Sequence, residues 1–207
     1  GLWNDEAGSL HLAYNDDEWR VLQELRDIYR QRSYELLSAD QTLRLSPAVA
    51  AAGLKGSLFS TDEMIVDPRE AIQTISSWLA EKYDMRFLYG KSVTAIAQPK
   101  VFCGDEAFDA DMIWVCSGAD LETLYPHVFL SLPLTKCKLQ MMRFAPPKKN
   151  WRIGPALCGA LSLAHYKSFS VAPSLDALKR RFEMEFPEYM RLGIHVMVAQ
   201  NGSGELT

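Results

Sequence analysis

The run Asp67-Pro68-Arg69-Glu70 constrains the fold more than any other stretch of the chain. An aspartate side chain accepts from the free N–H groups of a helix start. Proline at the first helical position has its φ preset and gives up only an N–H that would have no partner there, and a glutamate three residues after the cap can reach back to it. Ile72, Ile75, Trp78 and Leu79 follow at helical spacing, so a helix with one apolar face is predicted from Pro68 onward. Two further helices carry similar signals. Asn15 precedes "DDEWRVLQELRDIYRQR", with Glu18 at the capping-box position and Val21, Leu22, Leu25, Ile28 and Tyr29 on one face, which predicts a helix to about Tyr34. Ser174 opens another, in which Leu175, Leu178, Phe182 and Phe186 line one face until Pro187 stops it.

Strands fill the intervals. "GSLHLAY" alternates near the N-terminus, and "MRFLYG", "SVTAIAQ" and "KVFCG" are short β-forming runs between turn residues. "DMIWVCSG" is continuously apolar, which predicts a strand covered on both faces, as in a parallel sheet. "KCKLQMMRFAP", "WRIGPALCGALSL" and "GIHVMVAQ" read as longer antiparallel strands, with "QNGSGEL" as a hairpin turn. The mixture is α+β, without internal repeats. Both ends look cut from something longer, since the chain enters a strand almost at once and stops just after a turn.

With 207 residues and 48% apolar composition the chain can bury a core, as one large domain or two small ones. A net charge of −4 with interspersed signs offers no basic field, so nucleic acid is not an expected partner. The longest apolar runs are far too short to span a bilayer, and no membrane partner is expected. Cys103, Cys116, Cys137 and Cys158 lack metal-ligand or disulfide-framework spacing; reduced thiols in the cytoplasm are the expectation. No two histidines share a metal-ligand spacing either, so no metal is expected. His195 and His11 are placed facing outward from strands, and His127 in a loop. Ser117 lacks the G-x-S-x-G setting of a hydrolase nucleophile.

Taken in order, "GSLFSTDEMIVDPREAIQTISSWLAEKYDMRFLYGKSVTAI", "FDADMIWVCSGADLETL" and "LPLTKCKLQMM" resemble the middle of the D-amino acid oxidase-like family of FAD-dependent oxidoreductases, which includes glycine oxidase and sarcosine oxidase. "GPALCGALSLAHYKSF" and "GIHVMVAQNGSGELT" are similar to a less characterised branch associated with organophosphonate breakdown. The resemblance implies a mostly antiparallel substrate-domain sheet with helices, plus part of a Rossmann-like FAD-binding domain. Residues 1–66 and 126–207 would belong to the substrate domain and 67–125 to the FAD domain. It implies that Val93 touches the adenine or ribose end of FAD through its backbone and that Gly118 and Ala119 lie beside the pyrophosphate, where a backbone in close approach has no room for a Cβ. It implies substrate contacts from Gln140 and Met142 on one strand and from His165 and Tyr166 beyond "ALSLA".

The chain departs from the family in three places, one of them the lack of the C-terminal Gly-rich segment that packs on the flavin. None of its twelve glycines forms the G-x-G-x-x-G fingerprint whose amides hold the pyrophosphate, and Leu139 stands where the family has Gly before the glutamine matched by Gln140. The expectation is therefore the substrate-binding portion of an enzyme that oxidises an amine or amino acid by hydride transfer to flavin, with this chain alone holding FAD poorly or not at all and inactive by itself. The alternative is a stand-alone α+β ligand-binding module without redox chemistry; a nicotinamide-dependent dehydrogenase lacks the same Gly-rich turn. Homodimers are a further expectation, since exposed sheet edges invite self-association.

Overall fold

A computed structural model describes all 207 residues. The chain divides into two compact units, one made of Gly1–Ile75 with Met141–Thr207 and the other of Ser76–Gln140.

The first unit begins with β1 (Asn4–Asp5), β2 (Ser9–Ala13), α1 (Asp16–Ile28), β3 (Tyr34–Ser38), α2 (Ala39–Leu45), β4 (Gly56–Ser60) and β5 (Ile65–Val66). The helix α3 (Pro68–Tyr83) starts at the predicted proline and leads into the second unit. There β6 (Ala95–Ala97), β7 (Lys100–Cys103) and β8 (Glu106–Asp109) form an antiparallel meander, followed by the short α4 (Pro126–Leu130). Back in the first unit come β9 (Ala156–Cys158), α5 (Leu161–His165), a 3-10 turn over Lys167–Val171, α6 (Leu175–Glu185), α7 (Pro187–Leu192) and β10 (Met197–Val198). The fold is α+β.

The main sheet has the order β10-β9-β2-β4-β3, and every pair in it is antiparallel except β2 with β9. Because strand side chains alternate, β2 sends Leu10 and Leu12 to one face and His11 and Ala13 to the other. Leu10 and Leu12 join Leu37, Leu54, Ile153 and Leu157 in one apolar cluster. Ala13 joins Leu58 of β4, Val21, Leu22 and Leu25 of α1, and Leu178 and Phe182 of α6 in the other. The sheet is thus packed on both faces, and α1 and α6 cover the second one.

Caps behave as their chemistry predicts. The Glu18 carboxylate accepts from the backbone N–H groups of Tyr14 (2.8 Å) and Asn15 (3.1 Å) and from the Asn15 side-chain amide (2.9 Å). It also receives Arg181 of α6 at 2.7 Å, so one buried carboxylate closes the start of α1 and ties it to α6. Asp67 accepts from the Arg69 backbone and side chain and from Asn201, and those bonds, the Arg69 side chain foremost, hold its carboxyl well below the usual range. "QNGSGEL" does turn, with Asn201 N–H donating to Glu205 O and Ala199 exchanging bonds with Thr207.

Several predicted strands are corrected. The α1 helix ends at Ile28 rather than near Tyr34, because Tyr34 opens β3 and pairs with Ser60. Residues 85–90, 112–116 and 136–143 form no strand. The apolar run "MIWVC" has no neighbouring strand to complete a ladder, and Trp114 is 82% exposed instead of covered on both faces. No parallel pair occurs in the second unit. "KCKLQMMRFAP" makes only the single bridge Phe144–Leu206, so the strand expected to carry Gln140 and Met142 is absent. "WRIGPALCGALSL" yields three strand residues before it turns into α5, and "GIHVMVAQ" yields two. No helix is long and apolar enough to cross a membrane.

Candidate functional site

The covered face of the sheet is not apolar throughout. Ser9 pairs with Ser60 and Ala156, while His11 pairs with Leu58 and Cys158, so β2, β4 and β9 place two serines, a histidine and a cysteine side by side. At the Ala13 end α1 seals this face. Toward Ser9 the 3-10 turn covers it less completely and leaves a cavity of about 350 Å³. Phe169 closes one wall with its ring edge-on to His11, centroids 5.1 Å apart at 66°. Tyr34, Tyr166 and Met197 form other walls, and Glu63 stands at the exposed rim, accepting from the Ser9 hydroxyl.

Two polar atoms in this cavity, His11 Nδ1 and Ser60 Oγ, have neither solvent access nor a hydrogen-bond partner. Buried polar groups are nearly always paired, so two orphans on residues around one cavity mark it out from ordinary core. Burial pushes the His11 pKa down to about 4, which keeps the ring neutral. Burial, and then the Glu63 charge, push the Cys158 thiol up to about 12, so this sulfur stays protonated and is no nucleophile. Burial also raises the Tyr166 and Tyr34 hydroxyls.

Beside the cavity, the rings of His165 and His195 stack with centroids 3.9 Å apart. His195 Nδ1 lies 3.4 Å from the hydroxyl of Ser162, which is fully buried, and Tyr166 donates to the Met197 sulfur at 3.1 Å. Burial, followed by the neighbouring His165, lowers the His195 pKa. The Ser162 hydroxyl is inaccessible, so the contact orients an imidazole and does not activate a nucleophile. No group of three or more metal-ligating side chains is assembled.

The structure thus brings His165 and Tyr166 together, although on α5 and its C-terminal cap rather than on a strand. Gln140 and Met142 are exposed, on residues without regular structure. His11, placed outward from the sequence, faces the covered side; its neighbours Leu10 and Leu12 already occupy the other face, so alternation turns it inward. His195 is part-buried, just ahead of β10. His127 sits in α4. Ser9, Ser60, Glu63 and Cys158 were not legible as site residues, yet polar side chains at alternate positions of "SLHLA" and at the end of "GSLFS" are the signal that could have found them.

The sequence from residue 4 to residue 185 matches the model of the family DAO, described as FAD dependent oxidoreductase. The chain belongs to the FAD-dependent oxidoreductase family. Comparison with curated proteins gives no match. Among solved structures, L-proline dehydrogenase from P. horikoshii is similar over 100% of this chain and 49% of its own, with a TM-score of 0.67 and 15% sequence identity. The likeness is one of fold, and the chain spans about half the length of that dehydrogenase.

Family membership makes FAD the group against which Val93, Gly118 and Ala119 are to be tested. Val93 is part-buried ahead of β6; Gly118 and Ala119 are exposed. A pyrophosphate cradle leaves no room for a Cβ, yet a Cβ on Gly118 would meet nothing within 4 Å. Gly118 is needed there for its positive φ of 62°, which turns the chain so that Asp120 N–H reaches Ser117 O. In this FAD-dependent oxidoreductase chain, these three residues do not by themselves make a cradle for the flavin.

Proposed function

We propose that the chain is the substrate-binding portion of an FAD-dependent oxidoreductase that oxidises an amine or amino acid at its C–N bond, acting in the cytoplasm and without nucleic-acid or membrane partners. The observation that carries the reading is the family match over residues 4–185, and the packed sheet with a cavity on its covered face supports it. We assign residues 1–66 and 126–207 to the substrate domain and 67–125 to the FAD domain, with His165 and Tyr166 on the substrate side and Gln140 and Met142 further contacts. Val93, Gly118 and Ala119 would complete a flavin site only with residues outside this chain, so the isolated chain would hold FAD poorly and be inactive. Homodimers belong to the same proposal.

The test is the visible spectrum of this chain and of the natural gene product, each incubated with excess FAD and desalted. The expected result is a colourless chain and a yellow gene product whose flavin is bleached by amines or amino acids without oxygen. A gene product that stays colourless would overturn the oxidoreductase reading in favour of a ligand-binding module. A yellow chain would overturn the assignment of the missing cradle.

A further inference from the structure

The strands at the edges of the three sheets differ in length. β1, β5, β6, β8 and β10 hold two to four residues each, whereas β3, at the end of the main sheet, pairs with β4 over all five of its residues and has no strand on its far side. In an antiparallel ladder alternate N–H and C=O groups point away from the neighbour, so that far side presents donors and acceptors that another strand can complete. Edges are ordinarily blunted by shortness, proline, lysine or a bulge. The sequence of β3, "YELLS", holds neither proline nor lysine, its register with β4 runs without a bulge, and Glu35 is its single charge.

The strand complements a second copy of itself. Antiparallel pairing over the full length of β3 puts a twofold axis through Leu36, its middle residue, so that Tyr34 meets Ser38, Glu35 meets Leu37 and Leu36 meets Leu36 of the other copy. Leu36 packs against the apolar cluster under α1 and Leu37 belongs to the cluster on the opposite face, so the junction continues both apolar layers. Moving the axis either way leaves residues of β3 unpaired, and moving it to Glu35 sets two carboxylates face to face. With the axis at Leu36 the flanking charges match as well. Arg32 and Asp40 are both exposed and lie four positions to either side of Leu36, so each Arg32 comes level with Asp40 of the other copy.

We infer that two copies of the chain join edge to edge through antiparallel β3 strands centred on Leu36, merging their main sheets into one, with two Arg32–Asp40 ion pairs fixing the register. The inference rests on the homodimer proposed above and gives it a surface.

Sedimentation velocity of the whole 207-residue chain over a concentration series should show a monomer–dimer equilibrium. Arg32→Glu turns both attractive pairs repulsive and should weaken the dimer about tenfold, the scale of two exposed pairs changing sign. Asp40→Lys should do the same, and the two substitutions together should restore the parental association. Both side chains are exposed, so circular dichroism should show every variant folded. Hydrogen exchange of the parent, read by mass spectrometry, should slow over residues 34–38 as concentration rises. A dimer indifferent to either single substitution, a double variant no better than the singles, or exchange over 34–38 that ignores dimerisation would each overturn this interface and leave the homodimer standing. A chain that stays monomeric at every concentration would overturn the homodimer and the interface with it. Neither result bears on whether the natural gene product carries flavin, which the visible spectrum reads.

Discussion

His11 makes stability depend on pH in a direction opposite to that of a histidine held by a partner carboxylate. In the unfolded chain its pKa is close to 6.5; in the fold burial lowers it to about 4. Between those values the unfolded state binds a proton that the native state refuses, so stability is full above pH 6.5 and is lost as pH falls toward 4. At ~1.36 kcal/mol per pH unit the whole loss approaches ~3.4 kcal/mol, of which about 2 kcal/mol falls between pH 7 and pH 5. His11→Phe keeps a ring against Phe169 and removes the titration. Urea denaturation of both proteins at the two pH values, followed by tryptophan fluorescence, isolates the His11 contribution as the difference of differences, because His195 and the carboxylates titrate in both. Parallel loss of stability in the two proteins would refute the claim that the fold holds His11 neutral.

Other outcomes follow from the packing. Glu18→Ala leaves two backbone N–H groups without their acceptor, while Arg181 keeps Asp17 and Glu185, and should cost about 1–3 kcal/mol in urea denaturation, with Glu18→Gln costing less. Gly8→Ala should destabilise by more than ~1 kcal/mol in the same assay, since Gly8 has a φ of 76° and its Cβ would lie 2.3 Å from the Ser60 carbonyl oxygen. Iodoacetamide followed by mass spectrometry should label exposed Cys116 and Cys137 first, while Cys158, buried with its thiol pushed up to about 12, stays unmodified until the protein unfolds.

What the sequence disclosed depends on the range over which each feature is determined. Helix starts are local: Asn15 with Glu18, Pro68 behind Asp67, and Ser174 each mark a helix within one residue of its observed start. Strands need a partner, and the partner is not local. "GSLHLAY" and "KVFCG" found theirs; "DMIWVCSG" has none and "KCKLQMMRFAP" only the single Phe144–Leu206 bridge, so both stay irregular. The same limit hid the cavity. Ser9, Ser60 and Cys158 lie far apart along the chain and meet only through the β2–β4 and β2–β9 registers, while Tyr166 was within reach because of a family resemblance. The two units also differ in what they bury: no residue from Ser76 to Gln140 is fully buried, whereas both faces of the main sheet carry apolar clusters. Gly118 and Ala119 therefore sit where the local turn is fixed but nothing packs against it.

The two orphaned polar atoms carry a cost in the folded protein. Each buried group without a hydrogen bond costs about 1–3 kcal/mol, and an apolar side chain of similar size would remove that cost. Ser60 has only 2% of its surface exposed, and alanine differs from it by the hydroxyl alone, so Ser60→Ala should stabilise the free protein by about 1 kcal/mol. A serine retained only for packing would show the reverse, since replacing a bonded hydroxyl is destabilising. Thermal denaturation reads this term directly: Ser60→Ala should melt higher than the parent. A variant that melts lower when free would mean that the Ser60 hydroxyl is already satisfied within the fold, and the cavity would lose its claim to an unmet hydrogen bond at that position.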